Sequence, residues 1–173
     1  MANTNAKGDF EYVPSRLVIS PAQDRQLAEA LEKVVKQAPA KLVLLTDRNG
    51  QTIYNSEKSN DSWLVELAAL VAGDLAASEE MARLMNSIEE NQLILREGVS
   101  QHAYVAKTGP HLVLFVQTSS EVPLGWSRLI VQEAVQDLAE IFADATFEED
   151  EERNFSPEGF DDSVNNALDG LFS

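Results

Sequence analysis

Residues 41–56, KLVLLTDRNGQTIYNS, hold two apolar runs separated by a short polar turn. The turn is Asp47-Arg48-Asn49-Gly50. Asp and Asn side chains hydrogen-bond to nearby backbone, and glycine adopts a positive φ without steric cost, so this turn predicts a β-hairpin. Strands joined by a tight turn are antiparallel, whereas a parallel pair needs a crossover helix. The stretch therefore predicts a small α+β domain and not a dinucleotide-binding fold.

A helix is predicted immediately before this hairpin. Ser20 is the expected N-cap, Pro21 occupies the first helical position, and Gln23 completes a capping box. The helix should end before Pro39. Its apolar residues recur at helical spacing: Leu27, Ala30, Leu31 and Val34.

A second helix is predicted after the hairpin, with Asn60-Asp61-Ser62 as its cap. The expected core residues are Leu64, Leu67, Ala68, Val71 and Leu75. A second face carries small residues: Ala69, Ala72, Gly73 and Ala76. Small side chains let another backbone come close. The face therefore fits either tight packing on the protein's own sheet or a surface for a dimer or partner.

Three more strands and a third helix complete the predicted domain. The strands are residues 92–96, 102–107 and 111–117, and the turns between them are short, which is typical of an antiparallel meander. The helix should begin near Leu124 or Gly125 and carries apolar residues at helical spacing as far as Phe142. The predicted order is α-β-β-α-β-β-β-α.

Composition narrows the class of protein further. The chain has 173 residues and no cysteine, which excludes disulfides, thiolate metal sites and cysteine catalysis. No signal peptide or membrane span is recognisable, so we expect a soluble cytoplasmic protein without direct membrane insertion. The formal net charge of -16 should repel nucleic acid.

Both ends of the chain extend beyond the predicted domain of residues 20–143. Residues 1–19 form an N-terminal extension, in which the part from residue 10 is an extended segment or an edge strand. Residues 144–173 form an acidic tail with ten acids and one base. This tail is either a solubilising end or an attachment arm for a basic partner. Near its end, five apolar residues share one face at helical spacing: Phe160, Val164, Ala167, Leu168 and Leu171. This segment is either a helix that docks in a groove of its own domain or of a partner, or a frayed end.

No catalytic, metal or cofactor site is predicted. His102 and His111 each begin a predicted strand of one hairpin, so their rings should lie at opposite ends of it, and no third ligand is spaced to help them. The turn at Asp47, Asn49 and Gly50 lacks the twelve-residue pattern of a calcium loop. With no site for chemistry, the function is expected to reside in the protein's surface.

The order of elements and several stretches resemble the Roadblock family, named for dynein light chains, and in particular its bacterial MglB-like branch. The similar stretches are LLTDRNGQTIYNS, DSWLVELAALVAGDLAASEEMARLM, QLILREG, QHAYVAKTG, HLVLFVQT and LGWSRLIVQEAVQDLAEIF. The resemblance covers residues 20–143. It implies a profilin-like sandwich in which a five-stranded antiparallel sheet carries one helix on one face and two on the other.

The resemblance also implies a dimer and a partner. The third strand would pair with its mate at Leu93, Ile94 and Leu95, and the second helices would meet through the small-residue face. Bacterial members bind Ras-like small GTPases, and some of them stimulate GTP hydrolysis without supplying an arginine finger. The expected function is therefore a dimeric, non-catalytic regulator or adaptor of such a GTPase. Candidate contacts on the second helix are Ser62, Glu66, Asp74, Glu80 and Arg83.

Two alternatives remain from the sequence. One is a dimeric scaffold without a GTPase partner, which uses the acidic tail as its docking motif. The other is a small-ligand sensor, although the well-filled apolar stripes give no sign of the cavity that a sensor needs.

Overall fold

The computed structural model describes residues 15–87, 93–143 and 146–149. Residues Ile19–Thr146 form one compact unit. Along the described chain the elements are β1 (Ser15–Val18), α1 (Pro21–Gln37), β2 (Ala40–Asp47), β3 (Thr52–Asn55), α2 (Ser62–Leu84), β4 (Leu93–Glu97), β5 (Gln101–Thr108), β6 (Leu112–Ser119), α3 (Leu124–Ile141) and β7 (Thr146–Glu149).

Five of these strands form one antiparallel sheet in the order β3-β2-β6-β5-β4. Helices α1 and α3 pack on each other and on one face of the sheet, and α2 packs on the opposite face. This arrangement confirms the predicted α+β fold, with one helix on one face and two on the other. Strands β4 and β3 are the two edges of the sheet.

Successive side chains of the central strands point to opposite faces of the sheet, and apolar residues on both faces form two buried layers. Leu44, Val105 and Phe115 point towards α2, where they pack with Leu64 and other core residues of that helix. Their neighbours in sequence point to the other face, beneath α1 and α3, and these are also buried: Val43, Leu45, Tyr104, Leu114 and Val116. Full burial of one such side chain contributes roughly 1.5–3 kcal/mol, so both faces stabilise the sheet.

The local signals of the first helix are confirmed. The backbone N–H of Gln23 donates to Ser20 Oγ at 3.2 Å, and the N–H of Ser20 donates to Gln23 Oε1 at 2.8 Å. Helix α1 ends at Gln37, before Pro39. The predicted cap of α2 differs in its contact, because Asp61 holds the N-cap position but accepts a hydrogen bond from Ser59 Oγ and none from the helix.

The Asp47 carboxylate supports the hairpin turn, together with backbone hydrogen bonds between Asp47 and both Gly50 and Gln51. Asp47 Oδ1 accepts from the N–H of Asn49 at 2.9 Å and from the N–H of Gln51 at 2.8 Å. Gly50 has a φ of 82°, which a glycine tolerates. The turn that the sequence predicts is therefore present, and it is held by the side chain expected to hold it.

A separate two-stranded sheet pairs β1 with β7. Strand β1 thus pairs with the start of the acidic tail and is not an edge of the main sheet. Strand β7 was not predicted, because an acidic run carries little strand signal. The rest of the N-terminal extension and the amphipathic segment of the tail lie outside the described residues. In the described part of the chain, no helix has the length and apolar character that crossing a membrane requires.

Candidate interaction surface

The edge strand β4 is one part of the candidate surface. Ile94 lies opposite Val105 and packs against the core beneath α2. Leu93 and Leu95 point to the other face of the sheet, and Leu95 is 37% exposed. On its outer side β4 pairs with no other described strand. An apolar edge strand of this kind presents unpaired N–H and C=O groups to another chain.

The small residues of α2 do not form one continuous free surface. Ala72 is buried, with 6% of its surface exposed, so it belongs largely to the core of its own chain. Ala69 is exposed, but its backbone lies against Gly50 of the hairpin turn. Gly73 and Ala76 are exposed. Tight packing within the domain therefore explains Ala69 and Ala72, and only Gly73 and Ala76 remain open to a partner.

Asp74 links α2 to the edge strand. Its Oδ1 accepts a hydrogen bond from the guanidinium of Arg96 on β4. Its other oxygen, Oδ2, is buried and has no hydrogen-bond partner within the described part of the chain. From the sequence, Asp74 is a candidate contact for a partner. In the structure this carboxylate bonds to Arg96 and so connects α2 to β4.

A second ionic cluster joins α2 to the hairpin turn. Lys107 Nζ lies 3.0 Å from Glu79 Oε1, and the guanidinium of Arg48 also donates to the Glu79 carboxylate. Burial alone would raise the pKa of Glu79, but the hydrogen bonds and charges of Lys107 and Arg48 outweigh it and lower that pKa. The cluster holds three segments of the domain together: the turn, α2 and the end of β5.

The remaining polar candidates on α2 are exposed. They are Ser62, Glu66, Glu80 and Arg83. Glu80 and Arg83 form an ion pair one turn apart, in which the hydrogen bond from Arg83 lowers the pKa of Glu80. These residues face solvent and are accessible to a partner. The tail candidates Phe160, Val164, Leu168 and Leu171 lie outside the described residues.

The structure adds a surface that sequence reasoning missed. Several residues of α2 recur at positions i, i+4, i+7, i+11, i+18 and i+22, which places them on one narrow strip of the helix. We call this strip the α2 stripe: Trp63, Leu67, Leu70, Asp74, Met81 and Met85. Most of its large apolar side chains are exposed. The signal was present in the sequence as a second apolar period beside the core stripe.

The described part of the chain was predicted to hold no metal site, and its two histidines were predicted to lie apart. No group of three metal-ligating side chains lies together among the described residues. His102 pairs with Thr118, whereas Leu112, which follows His111, pairs with Thr108. The two histidines therefore lie at opposite ends of the β5–β6 hairpin, as predicted.

An open groove runs between α3 and the β4–β5 edge. It has a volume of about 300 Å³, at the lower limit of roughly 300–1,000 Å³ for small-molecule sites. Its lining mixes apolar, amide and charged side chains, among them Leu93, Leu129, Val135, Gln132, Lys107 and Glu133. Sequence reasoning missed this groove because it forms between elements that are distant in the chain.

Comparison with known proteins identifies the family. A family model described as Roadblock/LC7 domain matches residues 27–118. MglB of Myxococcus xanthus is 31% identical, with a TM-score of 0.63 over 69% of this chain and 96% of that chain. The gliding protein MglB of Thermus thermophilus is 29% identical, with a TM-score of 0.66 over 76% of this chain and 99% of that chain.

More distant structures share the fold alone. A Roadblock/LC7 domain from Streptomyces avermitilis is 16% identical, with a TM-score of 0.60 over 66% of this chain and 96% of that chain. No curated protein matches the sequence. The family match and the two MglB structures show that this chain belongs to the Roadblock/LC7 family, in its MglB-like branch.

Proposed function

We propose that this protein is a dimeric, non-catalytic regulator or adaptor that binds a Ras-like small GTPase in the cytoplasm. The observation that carries the proposal is the match to MglB over nearly the whole length of that protein. Membership in this branch implies a GTPase partner. If the protein stimulates GTP hydrolysis, the resemblance to this branch implies that it does so by repositioning the GTPase's own loops and not by supplying an arginine finger.

The open edge of β4 supports the dimer. Pairing of β4 with β4 of a second copy would join two five-stranded sheets and satisfy the backbone groups of both edges. Leu93, Ile94 and Leu95 would then lie at the seam. A structure described as MglB with a tetrameric arrangement, 27% identical to this chain, shows that a relative assembles with itself.

The exposed polar side of α2 is the proposed contact for the GTPase. Ser62, Glu66, Glu80 and Arg83 are available there, whereas Asp74 is occupied by Arg96. Charged side chains around such a contact would mainly set specificity and the rate of association. The tail residues Phe160, Val164, Leu168 and Leu171 are a second candidate contact, proposed from their helical spacing alone.

The test is an affinity pull-down from the native lysate with the full chain as bait. One sample contains excess non-hydrolysable GTP analogue and the other contains excess GDP, and retained proteins are identified by mass spectrometry. Retention of a small GTPase with the GTP analogue only would support the proposal. The same partners in both samples, none of them a GTPase, would favour a scaffold that docks through its acidic tail, and truncation after Asp144 should then abolish their retention.

A further inference from the structure

We propose that Asn49 is a site of spontaneous deamidation that the folded hairpin turn keeps closed. The reaction joins the Asn49 side chain to the backbone nitrogen of Gly50 in a succinimide ring. Local opening of the turn lets this ring form, and the isoaspartate that follows prevents the turn from packing on α2 again. This chemistry needs no partner and is independent of the proposed function.

The sequence places a reactive neighbour directly after Asn49. Gly50 has no side chain, so its backbone nitrogen can reach the Cγ atom of Asn49 without steric hindrance. The nitrogen forms a bond to Cγ and gives up its proton, the Cγ–Nδ2 bond breaks, and the amide group leaves with that proton as ammonia. Water then opens the ring at either carbonyl and yields aspartate or isoaspartate. Water is the only co-reactant, and no oxidant or reductant takes part.

Hydrogen bonds hold the attacking nitrogen in place in the folded turn. The N–H of Gly50 donates to the Asp47 carbonyl oxygen at 3.1 Å. On either side of it, the N–H groups of Asn49 and Gln51 both donate to Asp47 Oδ1, at 2.9 Å and 2.8 Å. Ring formation requires the Gly50 nitrogen to lose its proton and move towards Cγ, so these bonds must break first. The folded turn therefore disfavours the reaction.

Arg48 connects the turn to two other segments of the domain. Its N–H donates to the His111 carbonyl oxygen at 3.1 Å, and its guanidinium donates to the Glu79 carboxylate of α2. Lys107 Nζ, 3.0 Å from Glu79 Oε1, supports the same carboxylate from β5. These contacts oppose movement of the turn away from α2. The Glu79 carboxylate, distant in sequence from Asn49, therefore helps to keep the site closed.

Close packing on α2 makes the modification incompatible with the folded turn. The Gly50 backbone lies against the Ala69 backbone, with no space even for a Cβ atom between them. Rotation of the Asn49–Gly50 peptide towards Cγ displaces Gly50 from this position. Isoaspartate then adds one methylene carbon to the main chain, which lengthens the turn where it has no room. A modified molecule therefore cannot restore the contact with Ala69.

The experiment compares Glu79→Gln with the matched control Glu80→Gln. Both changes remove one carboxylate from α2 and leave residues 47–51 unchanged, so the reactivity of the unfolded turn is the same. Glu79 bonds to Arg48 of the turn, whereas Glu80 pairs with Arg83 in solvent. The full-length wild type and both variants are incubated at mildly alkaline pH, folded and in urea. Peptide mass spectrometry measures deamidation at Asn49 and separates aspartate from isoaspartate, and thermal melting confirms that each variant folds.

We expect the folded wild type to deamidate Asn49 roughly tenfold or more slowly than the urea-unfolded chain, because the reaction must wait for local opening of the turn. Folded Glu79→Gln should react several-fold faster than folded Glu80→Gln, and the three chains should react at the same rate in urea. The fraction that carries isoaspartate should melt at a lower temperature than the unmodified fraction.

A second pair of variants tests the turn itself. Asp47→Ala removes the oxygen that accepts from the N–H groups of Asn49 and Gln51, whereas Asp47→Asn keeps an acceptor oxygen. Each rate at Asn49 is divided by the rate of the same chain in urea. Asp47→Ala should show the larger ratio. If Asp47→Ala does not fold, the pair Glu79→Gln and Glu80→Gln still decides.

Three results would overturn the proposal. If folded and unfolded wild type react at the same rate, the turn does not close the site. If folded Glu79→Gln reacts no faster than folded Glu80→Gln, the attachment of the turn to α2 does not control the reaction. Asn55, followed by Ser56, is the internal reference in the unfolded chain. If Asn49 reacts no faster than Asn55 in urea, Asn49 is not a preferred site of deamidation.

Discussion

Gly50 in the hairpin turn and Ala69 in α2 approach so closely that no side chain fits between them. A Cβ atom on Gly50 would lie 2.7 Å from the Ala69 Cα and 3.1 Å from its backbone nitrogen. Gly50 also has a φ of 82°, where other residues are strained. The hairpin turn between β2 and β3 therefore packs directly on α2, and the small size of Gly50 and Ala69 makes that contact possible.

The first prediction concerns this contact. Gly50→Ala should lower the free energy of unfolding by about 2 kcal/mol or more, because it adds both left-handed strain and a backbone clash. Gly109→Ala is the control, since Gly109 has a φ of 60° but nothing within 4 Å of the added carbon. The control should lose about 1 kcal/mol from strain alone. Urea unfolding measures the free energy of unfolding of both variants. Equal decreases in that free energy would mean that the close approach of Gly50 to Ala69 does not affect stability.

The hairpin turn that contains Gly50 shows where sequence reasoning succeeds. The hairpin, the capped first helix and the antiparallel meander were predicted because each depends on residues close together in the chain. Asp47 bonds to backbone two and four residues away, and Ser20 bonds to Gln23. Hydrogen bonds between residues this close in the chain can be predicted from the local sequence.

Local sequence does not predict which side of α2 faces the sheet, the hairpin turn or solvent. The helix has a core stripe, a small-residue face and the α2 stripe, so apolar spacing alone does not say which side meets the sheet, the turn or solvent. Contacts between distant segments decide it: Ala69 with Gly50, and Asp74 with Arg96. Family resemblance suggested the small-residue face as the dimer contact, and the structure places half of that face within the domain.

The second prediction concerns pH. The pKa of Glu79 is lowered in the folded protein by Lys107 and Arg48, which outweigh the opposing effect of burial. A carboxylate with a lowered pKa stabilises the fold above its unfolded pKa, and that contribution is lost as the pH falls through the folded value. Between neutral pH and about pH 3, the wild type should therefore lose more unfolding free energy than Glu79→Gln, which cannot ionise.

Glu80→Gln is the matched control for this comparison. Glu80 neighbours Glu79 on α2, and its pKa is also lowered, by the hydrogen bond from Arg83, but the pair lies in solvent where ion pairs contribute little. Its urea midpoint should follow that of the wild type across the pH range. If Glu79→Gln also follows the wild type, the cluster with Lys107 and Arg48 does not stabilise the fold.

The last prediction tests the strand seam. Leu95→Lys should convert the dimer to monomers, because like charges would face each other across the twofold axis. Leu95 is 37% exposed, so the melting temperature should fall only by the stabilisation that dimerisation supplies. Ile94→Lys is expected to give monomers too, but Ile94 also packs on the core beneath α2, so that change would cost stability. Light scattering measures the mass of each variant.

Thr52→Lys adds the same charge to β3, the opposite edge of the sheet. An added lysine reduces the negative charge of the chain, so general repulsion between copies falls in both variants. Loss of the dimer in Leu95→Lys alone would therefore come from the β4 edge itself. Two monomeric variants would instead show that the assembly uses both edges, and an unchanged mass for Leu95→Lys would remove β4 from the interface.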